Sequence, residues 1–178
     1  MKHKCVDIMD VKSFPEYDML YSDLPWEDRM VKWFETQLRK DTGQEVKNNI
    51  NGILTQVAKL ADTNKPVFLE YSVKGTERVI NIMEEHGHRH QQTIKGFYNK
   101  NKPLHIITFN NNVTIPNGLE GGTLIKKCIN SISPKVVFDC FAGIGFTCKW
   151  VKQTGADYIG YELNQKRFEK LIKVYDRT

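Results

Sequence analysis

Apolar positions change period several times along the chain, and each change marks an element. "CVDIMD" (5–10) and "YDMLYSD" (17–23) are short apolar and aromatic runs that predict strands, separated by the turn-like "VKSFPE". From 28 to 62 the period lengthens. "MVKWFETQL" and "VKNNINGILTQVAKLAD" carry apolar residues at helical spacing, and "DTGQ" breaks them apart. "PVFLEYS" (66–72) predicts a strand, and "TERVINIMEEHG" (76–87) an amphipathic helix closed by Gly87. "QQTIKGFY" and "PLHIITFN", joined by the polar "NKNK", predict an antiparallel pair. After the loop "NNNVTIPNGLEGG" come helix "TLIKKCINSIS", strand "KVVFDCF" (135–141), helix "FTCKWVKQTG", strand "DYIGYE" (157–162) and a last helix from Asn164.

Strands alternating with helices predict an α/β fold: an open, mostly parallel sheet with one antiparallel strand pair and helices on both faces. The 178 residues suit one domain spanning 1–178, with no internal repeat, low-complexity tract or linker. In such sheets ligands bind beyond the carboxyl ends of the strands, where strand order reverses. Asp23, Glu70, Phe141 and Glu162 each end a predicted strand, so the reading gathers all four along one edge.

Composition adds little to this. Hydrophobic residues make up 40% and charged residues 26%, ordinary for a globular protein. The net charge of +5 favours a polyanionic partner, because Lys and Arg displace counterions from phosphates. No apolar run approaches the roughly 18 residues of a membrane span. "MKHKCVDIMD" lacks the apolar centre of a signal peptide, so the expectation is a cytoplasmic protein with no membrane partner. Cys5, Cys128, Cys140 and Cys148 form no C-x-x-C pair and read as reduced packing residues. In "HGHRH", His86, His88 and His90 would share one face of a strand, a ligand-like spacing with no acid or Cys placed to finish it. No metal is expected, and the segment reads as an exposed strand.

The segment with the most chemistry is "VVFDCFAGIGFTCKWVKQTGADYIGYELN". A strand runs into Asp139, Cys140, Phe141, Ala142, Gly143, Ile144 and Gly145, and a helix follows at once. Glycines here let the backbone approach a ligand where a Cβ would collide. Glu162 ends the next strand, a position suited to hydrogen bonds with the hydroxyls of a ribose. Cys148 stands where a third glycine would complete G-x-G-x-x-G, which argues against a nicotinamide site. "FDCFAGIG" and "IGYELN" resemble the cofactor motif of S-adenosylmethionine-dependent DNA methyltransferases that modify exocyclic amino groups. These carry D-x-F-x-G-x-G and then a strand-ending acid followed by a hydrophobic residue and Asn, here Leu163 and Asn164. The resemblance implies a Rossmann-like methyltransferase sheet and S-adenosylmethionine as cofactor.

The same family carries Asp/Asn/Ser-Pro-Pro-Tyr/Trp/Phe after another strand, and "DLPW" (Asp23, Leu24, Pro25, Trp26) matches it with Leu24 for the first Pro. An aromatic amino group is a poor nucleophile because its lone pair is delocalised into the ring. A carboxylate and a backbone carbonyl can accept its two N–H bonds and aim the lone pair at a sulfonium methyl, a role the resemblance gives to Asp23 and the Leu24 carbonyl. Trp26 would stack a base swung out of its helix, worth about 1–3 kcal/mol.

"DLPW" precedes the glycine motif, an order that resembles the permuted DNA amino-methyltransferases. By that resemblance Asp10, ending the first strand, lies near the cofactor's adenine amino group. "GGTLIKK", with Thr123, takes the place of the helix start that cups the cofactor's methionine end, without the family's Lys-Pro. The resemblance implies a DNA (adenine-N6) methyltransferase, since Asp rather than Ser at 23 favours adenine over N4 of cytosine. RNA adenine methylation and a non-catalytic subunit that keeps the cofactor fold are the rivals. DNA is the expected partner, with Lys95, Lys100 and Lys102 as candidate phosphate contacts. Only 27–62 is left over for target recognition. The expectation is therefore limited sequence choice, a homodimer or a recognition partner, in a compact enzyme of a kind that suits a phage.

Overall fold

The computed structural model describes residues 3–99 and 101–178. Its strands are β1 (Lys4–Cys5), β2 (Met19–Asp23), β3 (Val67–Tyr71), β4 (His90–Asn99), β5 (Lys102–Phe109), β6 (Val136–Asp139) and β7 (Asp157–Glu162). Its helices are α1 (Asp28–Thr42), α2 (Ile50–Leu60), α3 (Thr76–Glu85), α4 (Gly121–Ile132), α5 (Phe146–Lys152) and α6 (Gln165–Tyr175). One seven-stranded sheet has the order β1-β7-β6-β2-β3-β5-β4. The first five strands run parallel, and β5 pairs antiparallel with both β3 and β4.

The run-like strands are explained by burial on both faces. In β2, Met19, Leu20, Tyr21 and Ser22 are all fully buried. On one face Leu20 and Leu69 pack with Val57 of α2 and Met83 of α3. On the other, Tyr21 and Phe68 pack with Leu124 of α4, Val151 of α5 and Leu171 of α6. The strand order also locates a crevice. The chain steps outward from β2 to β3 on one side and from β6 to β7 on the other, so the reversal lies between β2 and β6, which are hydrogen-bonded neighbours.

Three expectations need correction. The predicted strand 5–10 stops at Cys5. Val6 N–H still donates to Glu162 O (2.9 Å), but Asp7 then caps a 3₁₀ turn over Ile8–Asp10. An Asx cap at Asp7 outcompetes strand pairing there. Residues 27–62 are not a spare segment either. Ile50, Ile53, Leu54 and Val57 of α2 are buried against the sheet, so that helix is part of the fold. The three histidines do not share a strand. His86 follows α3 and bonds Ile82 O, His90 bonds Thr93, and His88 is 2% exposed, held by Ala58 O and the Asn110 side chain. Among the described residues no group of three or more His, Cys, Asp or Glu gathers to hold a metal, and no helix is long and apolar enough to cross a membrane.

Helix α1 crosses the carboxyl edge of the sheet. Its start is tied to α2, where Asp28 Oδ1 accepts from Ile50 N–H (3.0 Å). Its end is tied to α6, where Asp41 accepts from Asn164 Nδ2 (2.9 Å) and Lys166 Nζ (2.8 Å). Gly43, in the left-handed region at φ 75°, closes the helix at the predicted "DTGQ" break.

Candidate active site

Two loops leave the carboxyl ends of adjacent strands: Leu24–Trp26 after β2, and Cys140–Gly145 after β6. Ser22, the residue before Asp23, joins them. Its hydroxyl donates to Asp139 Oδ1 (2.6 Å) and accepts from Phe141 N–H (3.1 Å). Asp139 is 1% exposed and also accepts from Tyr158 Oη (2.9 Å) and Phe141 N–H (3.0 Å). Three donors hold the loop after β6 against β7 and β2. Burial raises the Asp139 carboxyl to about 6, opposed by the bonds from Ser22, Phe141 and Tyr158.

Above these loops lies a cavity of about 310 Å³, at the lower end of the range for small-molecule sites. Asp23, Leu24 and Pro25 line one side, and Cys140, Phe141, Ala142 and Gly143 the floor. Glu162, Leu163, Asn164 and Arg167 line the far side. Met30, Phe34 and Leu38 of α1 form the roof.

The Glu162 carboxylate accepts from Gly143 N–H (2.9 Å) and Asn164 N–H (2.9 Å). Burial raises its pKa, and the Asn164 bond and the Arg167 charge oppose that. Each carboxylate oxygen keeps a second lone pair for a ligand hydroxyl. Gly143 has φ 57°, in the left-handed region that favours glycine, and a Cβ there would lie 2.9 Å from Arg167 Nη2, so a side chain would be strained and would push the guanidinium aside. Arg167 lies over the Phe34 ring (5.1 Å) with Nε 3.7 Å from Glu162 Oε1. That Nε is buried and has no hydrogen-bond partner among the described residues.

On the β2 side, Trp26 Nε1–H donates to Asp23 Oδ1 (3.0 Å). Lys102 Nζ sits 4.6 Å over the Trp26 ring and 5.2 Å over that of Tyr98. Burial raises the Asp23 carboxyl to about 7. The Trp26 bond opposes this, Asp139 adds to it, and Lys102 and Arg167 moderate it. Leu24 is 1% exposed and packs in the α2 cluster, so burial anchors this loop.

The raised carboxyls set a pH dependence of stability. Folded Asp23 and Asp139 hold their protons to about pH 7 and 6, against 3.8 for free groups. Between those values the folded state binds more protons than the unfolded one. Their contribution is full below about pH 4 and is lost as pH rises through 6 to 7. Urea midpoints are expected to fall from pH 5 to pH 8, and Asp139→Asn to flatten that slope. An Asp139→Asn slope equal to wild type would contradict the assignment.

The sequence-predicted residues divide as follows. Asp23, Leu24, Pro25, Cys140, Phe141, Ala142, Gly143, Glu162, Leu163 and Asn164 all line the cavity. Trp26 borders it through Asp23. Asp139 lies beneath the loop it organises, and Gly145 (φ 93°) caps α5. Asp10 does not line the cavity. It is exposed on the 3₁₀ turn, and Asp7 lines the cavity in its stead. Thr123 is exposed on α4 and is not a lining residue. Lys102 is at the site and Lys95 is exposed on β4, while Lys100 lies outside the described residues. The sequence reading missed Ser22, Phe34 and Arg167. The stripe Met30, Val31, Phe34, Leu38 was visible as a helical face, but the surface it covers was not.

A parallel sheet with this order, an antiparallel pair at one edge and a crevice at the β2–β6 reversal is the sheet of the Rossmann-like methyltransferases. Residues 121–173 match the family model N6_N4_Mtase, DNA methylase, and this segment carries the glycine loop and Glu162. TTHA0409 of Thermus thermophilus, described as a candidate DNA modification methylase and solved with S-adenosyl-L-methionine, superposes with TM-score 0.67 at 14% identity. That alignment covers 96% of this chain and 91% of that one. M1.HpyAVI in complex with SAM gives 0.65 at 16% identity, covering 90% and 89%. The cytosine-N4-specific PvuII DNA methyltransferase gives 0.58 at 12% identity, covering 90% and 84%. No curated protein sequence matches the chain.

Proposed function

We propose that the chain is a DNA methyltransferase that moves a methyl group from S-adenosylmethionine to the exocyclic amino nitrogen of adenine. One observation carries this reading. The loop after β2 and the loop after β6 border a single cavity, joined by the Ser22–Asp139 hydrogen bond of 2.6 Å.

The cavity residues fit the cofactor. Glu162 has lone pairs for ribose hydroxyls, and Gly143 presents bare backbone. The buried Arg167 Nε, without a hydrogen-bond partner among the described residues, is a donor for a ligand in the same space. When bound, S-adenosylmethionine supplies a methyl carbon on a positively charged sulfur. Asp23 accepts one amino N–H of the base and the Leu24 carbonyl the other, which directs the nitrogen lone pair at that carbon. Transfer would break the carbon–sulfur bond as the carbon–nitrogen bond formed, its electron pair staying on sulfur, and would leave a surplus proton on the nitrogen; Asp23, ionised above about pH 7, would be the adjacent acceptor. Trp26 gives the base a ring to stack on, displacing Lys102 from that face. Lys102 then faces phosphate or solvent.

Adenine is preferred over cytosine on the resemblance of "DLPW" with Asp at its first position. With α2 packed in the fold, sequence choice rests on limited contacts, a homodimer or a partner. The test is incubation with methyl-labelled S-adenosylmethionine and unmethylated DNA or RNA, followed by digestion and mass spectrometry of nucleosides. The expected product is N6-methyldeoxyadenosine. Label only in N4-methyldeoxycytidine or only in RNA would overturn the substrate assignment. Cofactor binding with no labelled nucleoside would overturn the activity.

A further inference from the structure

Glu70 is a buried carboxyl that the mechanism above leaves unused. It is the last residue but one of β3 and the register partner of Asp23, which ends β2, and both lie on the same face of the sheet as Tyr21 and Phe68. Glu70 is 5% exposed and lines the same cavity as Asp23. Tyr21 Oη–H donates to Glu70 Oε2 (3.2 Å).

We propose that Glu70 is a second contact to the target base: its acid hydroxyl donates to the ring nitrogen beside the amino group, while Asp23 accepts from the amino group itself. The inference rests on the methyltransferase reading and extends it to how the base is recognised. Two carboxyls side by side in a closed site do not both ionise. Burial and then the Asp23 charge push Glu70 well above the usual carboxylate range, so Glu70 holds the proton. Tyr21 donates to Oε2, which leaves the acid proton on Oε1. Asp23, which accepts from Trp26 and faces Lys102, gives up its proton first and is the ionised member above about pH 7. The pair then offers an acceptor beside a donor. Adenine presents the complement, an amino N–H beside a ring nitrogen lone pair. Guanine presents a ring N–H beside its amino group and would set donor against donor, which the site rejects.

The test is a cycle of enzyme variant against substrate. DNA carrying adenine or 1-deazaadenine, in which the ring nitrogen becomes C–H, is methylated by wild type, Glu70→Gln and Glu70→Leu. Gln keeps an N–H donor and an oxygen for Tyr21. Wild type and Glu70→Gln are expected to lose on the order of 10- to 100-fold in kcat/KM on the analogue. Glu70→Leu should be slow on adenine, and its analogue penalty, which contains the analogue's altered reactivity alone, should be smaller than that of wild type by about 10-fold or more, since comparing the two penalties cancels that reactivity. An analogue penalty in Glu70→Leu equal to that of wild type would overturn the contact. So would a wild-type enzyme that methylates both substrates within about threefold, a result that needs no variant to fold. A wild type that methylates neither base overturns the parent reading itself, which sets that failure apart.

Discussion

Asp23→Ala is expected to lower single-turnover methyl transfer by about 100- to 1,000-fold while leaving cofactor affinity within a few-fold. The size follows from removing one prearranged acceptor aimed at the reacting nitrogen, a loss of about 3–4 kcal/mol in comparable sites. The selectivity follows from placement. The Asp23 carboxyl bonds Trp26 and ends β2, whereas Gly143, Glu162 and Asn164 form their own hydrogen-bonded group across the cavity. Asp23→Asn keeps one acceptor oxygen and should fall between the two. Rapid-quench kinetics and calorimetric titration with the cofactor separate the effects. A loss of cofactor affinity as large as the loss of rate would remove Asp23 from its assigned role.

Glu162→Ala should give the reverse pattern. Cofactor affinity is expected to weaken by about 10- to 100-fold, with kcat at saturating cofactor within a few-fold of wild type, because charged hydrogen bonds contribute about 1.5–3 kcal/mol each. The variant removes the acceptor proposed for ribose hydroxyls. It also strands Gly143 N–H and Asn164 N–H, which now share the carboxylate, and deprives Arg167 of its counter-charge. Titration of the variant and of wild type with S-adenosylmethionine reads the change directly. Unchanged affinity would show that Glu162 braces the loop without touching the ligand.

That these two residues border one cavity was legible in the sequence because each sits in a short motif at the end of a strand. Asp23 stands before L-P-W, and Glu162 ends the strand after the glycine turn. Most elements were legible for a similar reason. β7 lies where the apolar run predicts, and Gly43 and Gly87, both at positive φ, end their helices where the pattern breaks. The strand predicted at 5–10 failed because a single side chain, Asp7, offered the backbone a turn that competes with pairing. Asp10 was carried off the cavity by that turn.

Other features depended on contacts between distant segments. Ser22 reads as a small polar residue inside a strand. Its bond to Asp139, 117 positions away, turns it into the tie between two loops. Phe34 and Arg167 belong to separate helices, and their contact over the cavity exists because α1 lies across the sheet edge to reach α6. Asp23 and Glu70 read alike as strand-ending acids. Only the register of β2 on β3 makes them partners whose charges compete for one proton.

The sequence by itself determined most of the strands and helices, the glycine turn and the acids at strand ends, because periodicity and local turn chemistry act over a few residues. The tertiary structure alone decided that β2 lies beside β6, that α1 roofs the cavity and that Glu70 shares a face with Asp23. Pairing order, register and helix docking are settled by burial and hydrogen bonds between segments far apart in the chain, and that information is not carried by any one stretch of it.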